Sequence, residues 1–252
     1  MLLPRVVACL DVDGGRVVKG VRFASLREAG DPGVCAAAYA AQGADAIVVL
    51  EADDTLEGRG NALAPGRTVR RLVGVPLTVG GGVRTSAAAA ALLEAGADKV
   101  AVNTAAVSRP ALLSELADRF GRQCAVLALD AARRPEGGAW EVVVLSGRER
   151  TGRDAVAWAR DAVASGAGEI LLTSWDRDGT GAGYDTELIA AMRAAVTVPI
   201  VASGGAAGAT DMARALAAGA DAVLAASILH DGVTTIGRLK KELERMGVEV
   251  RR

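Results

Sequence analysis

The chain has one histidine, His230, and three cysteines, Cys9, Cys35 and Cys124, in 252 residues. A lone imidazole argues against a His-rich metal site or a Ser-His-Asp triad, so acid–base chemistry falls to carboxylates or lysine, and no metal or cofactor is expected. An odd, widely spaced set of thiols is no disulfide framework and suits buried groups in a reducing cytoplasm, which is the expected location. Aromatic residues make up 3% of the chain and the formal charge is −1, which leaves little to stack bases or attract a phosphate backbone and excludes nucleic acid as a partner. No run approaches the ~18 apolar residues that cross a bilayer. The run nearest the start, Val6–Leu10, meets Asp11 at once and is too short for a signal-peptide core. No Pro/Ser-rich linker or charge run divides the chain, so residues 1–252 are read as a single domain.

Half of the residues are apolar, and the load falls on Val, Leu, Ala and Ile, the diet of parallel sheets buried on both faces. Strand-length apolar runs recur at Val6–Leu10, Ala46–Leu50, Pro76–Val79, Lys99–Val102, Ala125–Leu129, Glu169–Thr173, Pro199–Ala202 and Ala222–Ala225. Helical patterns separate them, among others at Pro32–Gln42, Ser86–Ala95, Pro110–Phe120, Asp154–Ser165, Thr186–Ala195 and Thr210–Ala218. One interruption, Ala131–Gly147, contains Trp140–Val144 and suggests a small strand pair after the fifth strand.

The chain also repeats itself. Pro76, Gly81, Gly82, Gly96, Ala97, Asp98 and Val100 recur as Pro199, Gly204, Gly205, Gly219, Ala220, Asp221 and Val223, each displaced by 123 positions. Two copies of four strand–helix units favour an α/β fold closed into a (β/α)8 TIM barrel, with half-barrels of roughly 1–123 and 124–252.

In such a barrel the chemistry sits at the C-terminal strand ends. Asp11 ends the first strand and Asp130 the fifth, which face one another across the mouth and suit paired general acid and base, with nothing in the sequence to say which is which. Gly80-Gly81-Gly82 with Asn103-Thr104, and Gly204-Gly205 with Ala226-Ser227, each offer backbone N–H groups and a hydroxyl at adjacent strand ends, enough to cradle a phosphate without a cation. A ligand bridging the two carries a phosphate at each end. Lys19, in the first loop, and Asp176–Thr180, after the sixth strand, become substrate contacts beside them.

Together these segments resemble the cyclase subunits of imidazole glycerol phosphate synthase. The resemblance runs through Ala8–Val12, Gly15–Gly20, Gly30-Asp31-Pro32, Thr78–Val83, Gly96–Val100, Asn103–Val107, Thr151-Gly152, Gly166–Ser174, Asp176–Thr180, Gly183-Tyr184-Asp185 and Ala202–Ala206. It implies that ammonia reacts with a bisphosphorylated ribulosyl aminoimidazole carboxamide nucleotide, giving imidazole glycerol phosphate and an aminoimidazole carboxamide ribonucleotide. Asp11 and Asp130 would be the acid–base pair. Lys19, Gly82, Asn103 and Thr104 would serve one phosphate side, and Asp178, Gly179, Gly204, Gly205, Ala226 and Ser227 the other. A glutaminase partner at the N-terminal barrel face would supply ammonia past Arg5, Lys99 and Glu169.

Four places depart from the family's pattern. Ala46 stands where a glutamate is usual at the ammonia entrance, Glu51 replaces an aspartate, Ala52–Gly60 matches poorly, and Leu229-His230-Asp231 replaces an aromatic-His-aromatic stretch. These keep open a paralogous phosphosugar isomerase, an amidotransferase-component barrel, and a non-catalytic or engineered scaffold; a scaffold, however, has no physical reason to keep two carboxylates and two anion loops.

Overall fold

The computed structural model describes residues 3–21, 24–51 and 62–251, without the side chains of residues 21 and 24–26; the divergent stretch 52–60 lies outside the described residues. Among the described residues twelve strands form one sheet: β1 (Arg5–Asp13), β2 (Arg16–Val21), β3 (Ala24–Gly30), β4 (Ala46–Glu51), β5 (Leu77–Gly80), β6 (Lys99–Val102), β7 (Ala125–Arg133), β8 (Trp140–Val144), β9 (Glu149–Asp154), β10 (Glu169–Ser174), β11 (Ile200–Ser203) and β12 (Ala222–Ala225). Eight of them, β1, β4, β5, β6, β7, β10, β11 and β12, are parallel neighbours in that order. Pairing of β12 with β1 and of β7 with β10 closes them into a barrel. They are the eight runs read from the sequence.

The helices are α1 (Pro32–Ala41), α2 (Leu63–Leu72), α3 (Ser86–Glu94), α4 (Thr104–Ser108), α5 (Ala111–Phe120), α6 (Ala155–Ala164), α7 (Thr186–Ala195), α8 (Ala209–Ala217), α9 (Ser227–His230) and α10 (Ile236–Arg245). Several begin where side-chain chemistry says they should. Asp31, Thr85, Asp154, Asp185 and Thr235 each accept a hydrogen bond from a backbone N–H of the first turn, and Pro32 follows Asp31 at a position where its missing donor costs nothing. No helix among the described residues is long and apolar enough to cross a membrane.

The strands have two buried faces, which is why they read as continuous apolar runs. In β1, Val6, Ala8 and Leu10 pack with the helices, whereas Val7 and Cys9 join a separate cluster of strand side chains inside the barrel. That inner cluster is built of small and medium groups, including Ala46, Val48, Ala101, Val126, Leu171, Val201 and Leu224.

The Gly-Ala-Asp repeat is a structural clamp used twice. Asp98 accepts the backbone N–H of Leu77 at 2.8 Å and Asp221 that of Ile200 at 2.8 Å, so each ties the start of its own strand to the strand before it. Arg70 pairs with Asp98 and Arg193 with Asp221. A Cβ on Gly96 would collide with Arg70, and one on Gly219 with Arg193, so the glycine makes room for the arginine stem. The two arginines share the displacement of 123 with the rest of the repeat, a signal present in the sequence but outside the set of repeated positions named above.

Beyond the barrel strands, β1 and β7 each continue into an antiparallel hairpin. The one on β7 is the strand pair expected near Trp140. The one on β1 corrects the reading of Lys19 as a loop residue, for Lys19 lies within β2. Its turn is made by Gly14 and Gly15, with φ of +55° and +80°, the paired left-handed conformation that lets a two-residue turn match the strand twist. The Asp-Gly-Gly signal at 13–15 announces that hairpin. Two long helices, α2 and α10, add to the six named from the sequence. In α10 the buried residues Ile236, Leu239 and Leu243 carry the helical spacing.

Candidate active site

Asp11 and Asp130 occupy equivalent places in the two halves. Each stands where its strand leaves the barrel: Asp11 is in register with Leu50 of β4 and Val18 of β2, and Asp130 with Thr173 of β10 and Val143 of β8. Ladder bonds on both sides fix the backbone of each carboxylate, as a catalytic group needs.

Between them lies a mouth of two lobes. The larger, 480 Å³, is lined by Asp11, Lys19, Gly82, Asn103, Thr104, Asp130 and Asp178 among others. The smaller, 240 Å³, is lined by Asp11, Lys19, Asp178, Gly179, Gly204, Gly205, Ala226 and Ser227 among others. The mouth thus brings together Asp11, Asp130, Lys19, Asn103, Thr104, Asp178, Gly179, Ala226, Ser227 and the glycines Gly81, Gly82, Gly204 and Gly205. Gly80, Asp176 and Arg177 line neither lobe: Asp176 accepts the Arg133 N–H and Arg177 donates to the Ala182 carbonyl. Asp11, Lys19, Thr173 and Asp178 border both lobes.

At that border Lys19 bridges the halves. Its Nζ lies 3.2 Å from Asp11 Oδ2 and 3.3 Å from Asp178 Oδ1, and the side chain is buried. Burial alone lowers the pKa of the ammonium, but the Asp11 and Asp178 carboxylates outweigh it and leave the pKa above the ordinary lysine value. Lys19 is therefore a fixed positive charge between the lobes.

Asp130 has the opposite surroundings. Burial, helped by the negative charges of Asp178 and Asp11, pushes its carboxyl up to about 7; hydrogen bonds from Thr173 and Asn103 oppose the rise without cancelling it. Asn103 Nδ2 donates to Asp130 at 3.0 Å and to the Val143 carbonyl at 3.3 Å, which aims the amide.

The glycine pairs adopt matching backbone. Gly81 and Gly82 have φ of +100° and +64°, and Gly204 and Gly205 of +90° and +91°. Close packing demands glycine as well: a Cβ on Gly81 would meet the backbone of Glu51, and one on Gly204 the carbonyl of Ser174. Thr104 and Ser227 each open a short helix, α4 and α9. Thr104 Oγ1 accepts the Leu145 N–H at 3.1 Å, so its own proton is left to point at a ligand oxygen.

The sequence reading missed several lining residues of the larger lobe, among them Arg84, Arg109, Ser146 and Arg148. Ser146 and Arg148 belong to the turn between β8 and β9, where Leu145 and Ser146 both have a φ of +53°. Left-handed backbone at two successive non-glycine residues is costly and is held here over the lobe. His230, the sole histidine, lines neither lobe and is held by Tyr39, whose hydroxyl lies 2.7 Å from Nδ1.

Arg5, Lys99 and Glu169 meet at the other end of the strands. Arg5 Nη2 and Lys99 Nζ both donate to Glu169 Oε2, at 2.7 and 2.8 Å, so two cations share one buried carboxylate. Ala46, at the start of β4, is buried in the inner barrel cluster.

A family model described as "Histidine biosynthesis protein" matches residues 5–235. The chain is 54% identical over 255 residues to the imidazole glycerol phosphate synthase subunit HisF of Mycobacterium tuberculosis (strain ATCC 25177 / H37Ra), covering 99% of this chain and 96% of that protein. It is 54% identical over 251 residues to the same subunit of Beutenbergia cavernae, with 98% of each chain covered. The Corynebacterium diphtheriae subunit is 52% identical over 252 residues, again with 98% of each covered. With the closed barrel and its two-lobed mouth, this places the chain in the histidine-biosynthesis protein family, among the cyclase subunits of imidazole glycerol phosphate synthase.

Proposed function

We propose that the barrel closes an imidazole ring with ammonia on a ribulosyl aminoimidazole carboxamide nucleotide that carries a phosphate at each end, releasing imidazole glycerol phosphate and the aminoimidazole carboxamide ribonucleotide. The observation that carries the reading is the unlike pair of carboxylates at one mouth between two backbone anion lobes. Asp130, with its pKa raised to about 7, holds a proton into the neutral range and is the general acid for the departing nitrogen. Asp11, paired with Lys19, is the general base that takes a proton from nitrogen derived from ammonia as it bonds to carbon. Lys19 offsets part of the negative charge of Asp11 and Asp178 at the point where the substrate crosses from one lobe to the other. Gly82, Asn103 and Thr104 serve one phosphate, and Gly179, Gly204, Gly205, Ala226 and Ser227 the other. The residues 1–252 act as one domain, since strands of both halves border the mouth.

The test is turnover of the bisphosphate nucleotide with an ammonium salt and no second protein. Formation of both products in equal amounts is expected, and their absence at saturating ammonium would overturn the assignment.

Ammonia is proposed to come from a glutaminase partner at the N-terminal face. Two cations already share Glu169 there, and Ala46 supplies neither a second carboxylate nor its bulk. The entrance is looser than the family's. Ammonium-driven turnover is then intact, glutamine-driven turnover loses ammonia to solvent, and Ala46→Glu raises the ratio of product formed to glutamine hydrolysed. A wild-type ratio already near one, unmoved by the substitution, would show that the ring is no gate.

A further inference from the structure

The repeat predicts that the two halves of the mouth are built alike, and at one rung of the barrel they are not. In the first half β5 and β6 pair at Thr78 with Lys99, Val79 with Val100 and Gly80 with Ala101. In the second half β11 and β12 pair at Val201 with Ala222 and Ala202 with Val223, the same first two rungs displaced by 123, and stop there. The third rung would join Ser203 to Leu224. Its loss has a steric reason. A Cβ on Gly80 would lie 2.9 Å from the Ala101 Cβ and 3.0 Å from the Ala101 carbonyl oxygen, so the first-half rung needs glycine, and the second half has Ser203 in that place. β12 stays paired with β1 as far as Ala225, so the parting is on the β11 side.

Tyr184 acts at that rung. Its hydroxyl donates to the Leu224 carbonyl at 2.8 Å. The ring is buried in the cluster that packs strands against helices, and burial raises the phenol above its ordinary pKa, so the hydroxyl keeps its proton and stays a donor. The residues on either side of it are fixed as well. The Gly183 N–H donates to the Gly205 carbonyl at 2.8 Å, and a Cβ on Gly205 would lie only 2.2 Å from the Gly183 oxygen. Asp185 caps α7 through the Leu188 N–H at 3.0 Å and accepts Trp140 Nε1 at 3.0 Å. Gly183–Asp185 is thus a strap laid against the ends of β11 and β12 and held on both sides of its tyrosine. The first half has no tyrosine at the equivalent position, which is Asn61 and lies outside the described residues.

Leu224, Gly204, Gly205 and Ser227 line the smaller lobe, whereas Tyr184 does not. Resting on the reading of the glycine pairs as phosphate sites, we propose that Tyr184 is a positioning residue for the smaller lobe: by holding the Leu224 carbonyl it sets how far β11 and β12 part at the mouth, and with that the spacing between the Gly204-Gly205 backbone and the Ser227 hydroxyl. An anion held there by N–H groups and a hydroxyl, with Lys19 as the sole cation of the described lining, depends on those donors being aimed at one point. The larger lobe needs no such device, because its third rung is closed by the Gly80–Ala101 pair.

The test is a titration of the isotope-labelled chain with inorganic phosphate, read at the backbone amides of Gly205 and Ser227 for the smaller lobe and of Gly82 and Thr104 for the larger, in the unaltered protein and in Tyr184→Phe. Phenylalanine removes the hydroxyl and leaves the ring in the core, so the fold is kept. The variant is expected to bind phosphate about tenfold more weakly at Gly205 and Ser227, the loss of about one hydrogen bond to a charged group, and to change by less than about twofold at Gly82 and Thr104. The larger lobe is the internal control, since a general loosening of the barrel would weaken both. Equal weakening at the two lobes, or weakening at neither, would overturn the role of Tyr184. If phosphate leaves the Gly205 and Ser227 amides of the unaltered chain unmoved, the reading of that lobe as a phosphate site falls and takes the role with it.

Discussion

Asp98 in the first half-barrel and Asp221 in the second make the same bonds to the same kinds of partner, whereas the hairpins that follow Asp11 and Asp130 are held in unlike ways. The hairpin of β2 and β3 is tied down by ion pairs: Lys19 to Asp11 and Asp178 inside the mouth, Arg16 to Glu28 and Arg27 to Asp231 at the surface. That of β8 and β9 has ion pairs too, Arg150 to Glu141, Arg153 to Asp161 and Arg133 to Glu187, but the same arginines are also stacked on aromatic rings, which among the described residues those of the first hairpin are not. Arg133 lies 4.8 Å from the Trp140 ring, Arg150 5.7 Å from Trp175 and Arg153 3.9 Å from Trp158, and Trp140 Nε1 donates to Asp185 at 3.0 Å. The chain's three tryptophans are all spent there. The lesson is that the repeat preserves what holds a strand in its barrel, while the strand ends are dressed separately, one half supplying a buried cation and the other a buried carboxyl whose pKa is raised.

The largest effects should come from breaking the unlike carboxylates. Asp11→Asn and Asp130→Asn are each expected to lower turnover by at least ~10²-fold with little change in substrate binding. They should differ in pH dependence. If Asp130 is the acid proposed above, kcat/KM of the unaltered chain should fall above pH about 7, and that limb should be missing from the residual activity of Asp130→Asn. Stability carries a second signature with a definite sign. The Asp130 carboxyl goes from an ordinary 3.8 up to about 7 in the fold, so its contribution to stability is full below the lower value and is lost as pH rises through the upper one. The Tm of Asp130→Asn should therefore gain on that of the unaltered chain between pH 4 and 7 and then level off. A constant difference across that range would put the carboxyl in ordinary surroundings.

The shared clamp should break equally. Asp98→Ala and Asp221→Ala each remove an ion pair and the acceptor of a strand N–H, and each is expected to cost about 1–3 kcal/mol in denaturant unfolding. Costs that differ beyond that span would mean that the repeat has kept the shape of the clamp but not its strength. The smallest effects distinguish the hairpins. Arg153→Ala loses a close cation–π stack on the buried Trp158, worth about 0.5–2 kcal/mol, together with its surface pair to Asp161. Arg27→Ala loses an exposed pair, worth about 0–1 kcal/mol. Thermal unfolding should rank them in that order, and the reverse order would make the surface pair the stronger tie.

Much of this was legible before any coordinates, because the barrel is written in local chemistry. Apolar runs, capping residues such as Asp31 and Asp185 and the displaced copies of Gly-Ala-Asp are each properties of a few adjacent residues. Asp11, Asp130 and both glycine pairs were readable for the same reason, since strand ends can be located from the strands. What escaped were residues whose role depends on distant partners. Arg148 borders the larger lobe because its hairpin leans on Asn103 and Thr104, and Lys19 is buried rather than solvated because the Gly14-Gly15 turn folds it back between Asp11 and Asp178.

By itself, then, the sequence determined a closed eight-stranded barrel with a glycine pair and a carboxylate at the mouth in each half, since periodicity, turns and repeats act over short stretches of chain. Only the tertiary structure decided that the carboxylates are unlike and the lobes unequal. Charge separation and cavity size are sums over groups brought together from as far apart as Lys19 and Asp178, and burial, which no single segment encodes, sets how strongly they act on one another.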